Sequence, residues 1–139
     1  MFERIESLRP YMLSVLRITA ALLFLEHGTA KFFVFPHVPM YDPITMYSLP
    51  WFAGILELVG GILLTLGLGT RLVAFILSGE MAFAYFIAHA PGGFFPILNH
   101  GELAVLYCFV FLYLAVAGGG AWSLDNVVSP SRRSAAQTA

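Results

Sequence analysis

The stretch LAVLYCFVFLYLAVAGGGAWSL, residues 103–124, contains no Asp, Glu, Lys or Arg, and residues 81–101 before it are equally free of them. Either stretch is long enough for an α-helix to cross a hydrocarbon core of roughly 30 Å. Composition agrees, because 59% of the chain is apolar and only 11% is charged, whereas soluble domains are about 45–50% apolar. The mean hydropathy is +0.82. These features predict a polytopic membrane protein.

Helix-breaking residues divide the chain into four apolar segments. Prolines and paired glycines interrupt helices, and Thr70 after a glycine turn has the side chain of an N-cap. We therefore expect an all-α fold, a membrane four-helix bundle in one domain, residues 1–125, followed by a disordered cytoplasmic tail, residues 126–139. The expected helices cover about 11–33, 51–68, 72–89 and 101–118.

The distribution of basic residues predicts the orientation of the bundle. The loops at 34–50 and 90–100 contain neither Lys nor Arg. Since basic residues near helix ends are retained on the cytoplasmic side, these loops are expected outside and both termini in the cytoplasm. A secretory signal peptide is the alternative for the first thirty residues, but no convincing small-residue cleavage site follows the apolar run.

Ionisable residues inside these apolar segments are the feature that calls for a function. A carboxylate in hydrocarbon costs roughly 2.5–3.5 kcal/mol on insertion scales, so it is expected to face the bundle interior or pair with a cation. With the predicted topology, most of these residues fall in the outer half of the membrane, and Glu80 and Arg17 lie deeper. The outer set is Glu26, His27, Lys31, Glu57, His89, His100 and Glu102.

Helical phase refines the placement of three of these residues. At 100° per residue, Arg17, His27 and Lys31 share one broad face of the first helix. On the second helix, Glu57 shares a face with Gly54 and Gly60, and small residues at this spacing let a neighbouring backbone approach closely. Glu57 is therefore expected at a helix–helix contact.

Several segments together give the chain a resemblance to the DoxX family of small four-helix membrane proteins. The segments are LR at 16–17, FLEHGTAKF at 24–32, GILELVGGILL at 54–64, Gly67, TR at 70–71, AYF at 84–86, His89, NHGELA at 99–104 and GGGAWSLD at 118–125. No single segment is specific, but their order and spacing are. The resemblance covers about residues 16–125 and implies a multi-pass protein of the bacterial cytoplasmic (inner) membrane.

Relatives in that family include the DoxD subunit of a thiosulfate:quinone oxidoreductase, and others are linked to thiol-stress systems. The resemblance thus implies a membrane subunit of a quinone-linked redox or thiol-stress system. If it is active in catalysis, it is an oxidoreductase subunit that depends on a partner redox protein. Two alternatives from other classes are a small-solute carrier or channel, which with four helices requires a homo-oligomer, and a scaffold that recruits partner proteins.

A quinone site needs an apolar slot, hydrogen-bond donors to the quinone oxygens and a carboxylate that exchanges protons. We assign the catalytic roles to Glu57, Lys31 and Glu102, with Phe83 and Phe86 as candidate walls of the slot. A purely structural interpretation stays open, in which Glu57 pairs with Lys31 or Arg17 and only fixes helix register. The candidate ligand-binding residues are Glu26, His27, Arg17, Glu80, His89 and His100.

Other cofactors and partners have weaker support in the sequence. The spacing of His27, His89 and His100 matches no compact metal-ligand motif, so no metal site is predicted. The single Cys108 rules out an intrachain disulfide. We predict no tightly bound cofactor, quinone as the candidate ligand and membrane lipid as a partner. A net charge of −1 without a basic patch gives no reason to expect nucleic acid.

Overall fold

The computed structural model describes residues 5–42 and 44–128, and within these ranges it is helical with no β-strand. The four long helices are α1 (Arg9–Phe33), α2 (Leu49–Leu66), α3 (Thr70–Ala84) and α4 (Glu102–Ala117). The predicted all-α membrane four-helix bundle is confirmed. Boundaries agree within two residues, except at the end of the third helix.

Three helices are long and apolar enough to cross a membrane: Arg9–Phe33, Leu49–Leu66 and the extended third helix Thr70–Gly92. The fourth, α4, is apolar but has 16 residues. At 1.5 Å per residue it is about 24 Å long, slightly less than a typical hydrocarbon core.

The third helix does not remain α-helical to residue 89 as predicted. The α-helix ends at Ala84 and continues as a π-helical segment, Tyr85–His89, and a 3-10 turn, Ala90–Gly92. A helical turn, Pro96–Asn99, precedes α4. The Asn99 amide donates to the carbonyl oxygen of Gly93 at 2.8 Å. These local bonds close the connector between α3 and α4 without a continuous helix.

Two helix pairs make up the bundle, with α1 packed along α2 and α3 packed along α4. Small residues set the spacing of the α1–α2 pair, because a Cβ atom built on Gly28 would lie 2.7 Å from the backbone nitrogen of Leu58. The expected close contact on this face of α2 is therefore confirmed. The central core is Ala20, Ala21, Phe24, Leu64, Ala74, Leu77, Met81, Tyr107, Phe111 and Leu114.

The helices run up and down, so the bundle has two ends. At the Arg17 end lie the start of α1, the turn 67–69 and the segment 118–128. At the Lys31 end lie the loop 34–48, described apart from residue 43, and the connector 85–101. The Ala121 N–H donates to the carbonyl oxygen of Pro10 at 2.9 Å, which places both described termini at the Arg17 end. That this end is cytoplasmic stays a prediction.

The expectation for the tail is corrected at its start. Residues 126–128 belong to a helical turn, Asp125–Val128. The Asn126 amide holds this turn against the bundle by donating to the carbonyl oxygen of Gly120 at 2.8 Å. The rest of the predicted tail, residues 129–139, lies outside the described residues.

Candidate functional site

A buried ion pair joins α1 to α2 at the Lys31 end. Lys31 Nζ lies 2.6 Å from both carboxylate oxygens of Glu57. The side chains are 8% and 5% exposed, respectively. Gly54 makes room for the lysine stem, because a Cβ atom there would lie 3.2 Å from Lys31 Cδ. The pairing that the sequence left open between Lys31 and Arg17 is thus made by Lys31, and two buried charges neutralise each other.

The loop 34–48 covers this ion pair through Tyr41. Lys31 Nζ lies 5.2 Å from the centroid of the Tyr41 ring, a cation–π geometry. His27 Nδ1 lies 3.1 Å from the Tyr41 hydroxyl. Burial, with the negative charge of Glu57 adding to it, raises the pKa of Tyr41 above its ordinary value. Tyr41 is therefore a neutral phenol at physiological pH and can donate a hydrogen bond.

Tyr41 is the residue of this site that sequence reasoning missed. It lies in a proline-rich loop, where neither helical periodicity nor an ionisable carboxyl or amine marks a side chain as inward-facing. The 3-10 turn Pro39–Tyr41 brings it over the end of α1. The single hint was an aromatic residue between two prolines in a long loop, which is too weak a signal to assign a contact.

Glu80 on α3 faces the same ion pair. Helices α2 and α3 are antiparallel, and Gly60 packs against Leu77, since a Cβ at Gly60 would lie 2.8 Å from Leu77 Cδ2. One turn further, Glu57 and Glu80 are opposite each other. Glu57 and Lys31 are also the charges that act on the Glu80 carboxyl. We call Lys31, Glu57 and Glu80 the carboxylate cluster.

The Glu80 carboxyl differs from that of Glu57 in one respect. Both of its oxygens are buried, and neither has a hydrogen-bond partner within the described part of the chain. Buried polar groups are normally paired, since an unmade hydrogen bond costs about 1–3 kcal/mol. Glu80 can therefore accept or donate a proton, or bind a polar ligand atom, without breaking a bond to the protein.

Aromatic side chains separate the carboxylate cluster from the rest of the core. The His27 ring lies 6.4 Å from both the Phe24 and the Tyr107 ring centroids. Phe24 and Tyr107 are 5.3 Å apart in an edge-to-face arrangement. His27 thus connects Tyr41 with an aromatic layer, and the polar site is confined to the Lys31 end of the bundle.

The remaining candidates at this end stand apart from the carboxylate cluster. Glu26, His100 and Glu102 are exposed. His89 Nδ1 lies 3.1 Å from the Asn99 carbonyl oxygen, within the connector. Among the described residues, no ion pair joins any of these four side chains to Lys31 or Glu57. The structure therefore concentrates the candidate site on fewer residues than the sequence did.

Arg17 is fully buried but lies at the opposite end of α1. Fourteen residues separate it from Lys31, which is about 21 Å along a helix. Within residues 5–42 and 44–128, its guanidinium donates to backbone carbonyl oxygens only. They belong to Leu64, Thr65 (2.7 Å), Gly119 (2.8 Å) and Trp122 (2.7 Å). The geometry gives Arg17 a structural role and separates it from the carboxylate cluster.

Asp125 completes the Arg17 end by capping α3. The N-cap is Gly69 rather than Thr70 as predicted, and Asp125 accepts hydrogen bonds from the N–H groups of Gly69 at 2.7 Å and Thr70 at 2.9 Å. Thr70 was a wrong assignment because the capping carboxylate comes from 55 residues away in sequence. Burial alone raises the pKa of Asp125, but hydrogen bonds from Thr70 and Gly69 and the charge of Arg17 outweigh it, so its pKa is lowered.

No group of three or more His, Cys, Asp or Glu side chains is arranged to hold a metal ion in residues 5–42 and 44–128. The carboxylate cluster pairs two carboxyls with one ammonium, which is a donor set for protons and hydrogen bonds. Fold and site together define a small multi-pass membrane protein with a buried polar cluster near one end of its bundle.

Comparison with known proteins identifies the family. The DoxX family model matches residues 12–90, and the chain belongs to the DoxX family. A protein of Haemophilus influenzae described as uncharacterised is 50% identical over 133 residues, covering 89% of this chain and 96% of the relative. An uncharacterised membrane protein of Mycobacterium tuberculosis is 32% identical over 132 residues, covering 82% of this chain and 79% of the relative. No solved structure matches the chain.

Proposed function

We propose that this DoxX-family protein binds a membrane quinone at the carboxylate cluster and acts as the membrane subunit of a quinone-linked redox system in the bacterial cytoplasmic membrane. The observation that carries the proposal is the Glu80 carboxyl, whose two buried oxygens have no partner in the described part of the chain. It lies beside the Lys31–Glu57 pair, and Lys31 supplies an ammonium to the same place. Intramembrane ionisable groups are functional candidates by default.

The depth of the cluster favours a ligand that is dissolved in the bilayer. Glu57 is eight residues into α2, about 12 Å from the start of the helix. A water-soluble substrate would have to leave water to reach this depth, whereas a quinone is already dissolved in hydrocarbon. A quinone oxygen at the cluster can accept hydrogen bonds from Lys31 and from the protonated Glu80 carboxyl.

The proposed reaction balances with an external electron donor. Reduction of a quinone to a quinol takes two electrons and two protons, and a partner redox protein carrying thiols or a flavin supplies the electrons and is itself oxidised. The quinone oxygen at the cluster takes its proton from the Glu80 carboxyl, and the second oxygen takes its proton from water, while Lys31 stays protonated as the counter-charge of Glu57. Glu80 regains its proton from water at the Lys31 end, where the Tyr41 hydroxyl of the loop lies 3.1 Å from His27 Nδ1. A carboxyl that exchanges protons in this way is a general acid–base group.

A scaffold function predicts a different result for substitution of the same residues. If the cluster only held helices together, Glu80 would only destabilise the fold, because its carboxyl is buried and has no hydrogen-bond partner in the described part of the chain. Glu80→Leu would then leave function intact and raise stability. The carrier alternative needs a polar seam between copies, and the carboxylate cluster lies inside a single chain.

The test measures quinone that copurifies with the protein. Wild type, Glu80→Leu and the matched control Glu102→Leu are purified in mild detergent from the same host, and quinone is quantified per chain after solvent extraction. Glu102 is the control because its carboxylate is exposed, at the start of α4 and outside the cluster. We expect close to one quinone per chain in wild type and the control, and at least a fivefold loss in Glu80→Leu.

Folding is measured on the same samples, so that loss of ligand is not confused with loss of structure. We expect Glu80→Leu to unfold at a temperature equal to or above that of wild type. Quinone at the level of the detergent blank in wild type, or equal occupancy in wild type and Glu80→Leu, contradicts the proposal and favours the scaffold.

A further inference from the structure

A groove between α2 and α3 is a structural feature that the site description leaves unused. Its volume is about 200 Å³. It is open to the bilayer, because Val59 is 52% exposed and Ile76 is 46% exposed. All of its lining residues are apolar: Ile55, Leu56, Val59, Gly60, Leu63, Val73, Ile76 and Leu77.

Within the groove, the α2–α3 contact is made through a glycine. Gly60 admits the Leu77 side chain, since a Cβ at Gly60 would lie 2.8 Å from Leu77 Cδ2 and 2.9 Å from Cδ1. From Ile55 to Leu63 the groove runs about 12 Å along α2.

The groove adjoins the carboxylate cluster. On α2, Leu56 precedes Glu57 in sequence, and on α3, Ile76 and Leu77 lie one helical turn before Glu80. On α3 the groove therefore ends about one helical turn from Glu80, no carboxyl lines it, and it runs from there towards the Arg17 end. The groove lies around the middle of α2, whose bounds are Leu49–Leu66. For a helix that crosses the bilayer, this is near the middle of the membrane.

We infer that this groove holds the isoprenoid tail of the quinone whose head group binds at the carboxylate cluster. The inference rests on the proposed function and adds the face of the bundle by which the ligand enters. A ligand that fits must have its polar group about 12 Å below the start of α2 and a linear apolar chain running deeper. A phospholipid has the opposite arrangement, because its head group stays at the interface and only its tails reach this depth.

Binding of the tail gains little from leaving lipid, because hydrocarbon is as apolar as the groove. The tail is therefore best located directly rather than through affinity. The probe is a benzoquinone with an isoprenoid tail that carries a photoreactive diazirine. After irradiation in lipid nanodiscs, mass spectrometry of peptides shows which residues of the chain are labelled.

We expect labelling concentrated in residues 55–63 and 73–77, reduced at least fivefold by excess unlabelled quinone and by Glu80→Leu. Val59→Trp fills the groove, and we expect at least a threefold loss of that labelling while Glu80-dependent binding of a tailless benzoquinone is kept. Val116→Trp is the matched control, since Val116 is 72% exposed on α4 and does not line the groove.

The outcomes separate the two proposals. Quinone binding that depends on Glu80, with labels spread equally over the lipid-facing residues including those near Val116, overturns the groove inference alone. The same holds if Val59→Trp and Val116→Trp label identically. Absence of any Glu80-dependent binding, of tailed or tailless quinone, overturns the proposed function itself.

Discussion

The two ends of the bundle surround their buried charges with different kinds of partner. At the Arg17 end, one guanidinium is surrounded by carbonyl oxygens of the backbone, with two partners on α2 and two in the segment 118–122. At the Lys31 end, the charges face other side chains, and Glu80 has no partner in the described part of the chain. Backbone partners cannot titrate or move independently of the fold, whereas carboxyls can. The difference separates a structural charge from a candidate reactive one.

The largest effect on folding is expected from Arg17→Gln. Removing the guanidinium takes a hydrogen-bond donor away from four carbonyl oxygens around a fully buried side chain, and effects above about 4 kcal/mol arise from disrupting a buried network of this kind. We expect a loss of about 4 kcal/mol or more, measured as unfolding of the detergent-solubilised protein. Arg9→Gln is the control, because Arg9 is 77% exposed in its side chain and bonds only Glu6 in the described residues. Equal stability of the two variants would show that the contacts of Arg17 do not stabilise the fold.

The next effect concerns the ion pair at the Lys31 end. Glu57→Gln leaves the Lys31 ammonium buried without its counter-charge, and breaking a buried pair from one side costs about 3–5 kcal/mol. Replacing both partners, in Lys31→Met with Glu57→Leu, is expected to return stability to within about 1 kcal/mol of wild type, since apolar substitutes avoid the desolvation cost.

Measuring bound quinone together with stability in the double variant distinguishes a structural role of the ion pair from a ligand-binding one. A well-folded double variant without copurifying quinone would show that the Lys31 end is dispensable for folding and required for the ligand. A double variant that stays as unstable as Glu57→Gln would mean that the pair is structural, like the Arg17 end.

A smaller effect is expected from Asp125, the cap of α3. Its pKa is lowered in the folded protein, so its contribution is fully present above the unfolded pKa of about 3.9 and is lost as the pH falls through the folded value. Asp125→Ala is expected to cost about 1–2 kcal/mol at neutral pH, the range for loss of a helix cap.

The same variant should flatten the decrease in stability between pH 4 and lower values. Glu6→Ala serves as the control, because Glu6 is exposed and caps no helix in the described chain. A Glu6→Ala profile that flattens as much as that of Asp125→Ala would assign the acid sensitivity to surface charge in general.

Much of the fold follows from the sequence because hydrophobic length and helix breakers are local signals. The bounds of α1 and α2 were expected within two residues for this reason. The end of α3 was not, because the π-helical segment Tyr85–His89 depends on contacts with the later Asn99 and Gly101. A Cβ at Gly101 would lie 2.7 Å from Tyr85 Cδ2. Such long-range contacts leave no periodic pattern.

The sequence predicted the kinds of residue in the candidate site better than it predicted which individual residues belong to it. Helical phase placed Lys31 and Glu57 on facing sides of α1 and α2, and the pair forms. Helical phase put Arg17 on the same face as Lys31, and although its position in the sequence placed it deeper, it was kept among the candidate ligand-binding residues because its backbone partners could not be foreseen. The loop residue Tyr41 and the cap Asp125 act through tertiary contacts that no local pattern encodes.

The contacts of Arg17 also impose an order of events on biosynthesis. Two of its four carbonyl partners, Leu64 and Thr65, are made with the second helix, and the others, Gly119 and Trp122, are made last. Until the ribosome has released the segment after α4, a nascent chain in the membrane carries an arginine with half of its partners. The network is therefore complete only after synthesis has passed Trp122, and a chain truncated before Gly119 would hold a buried guanidinium with two of its four acceptors missing.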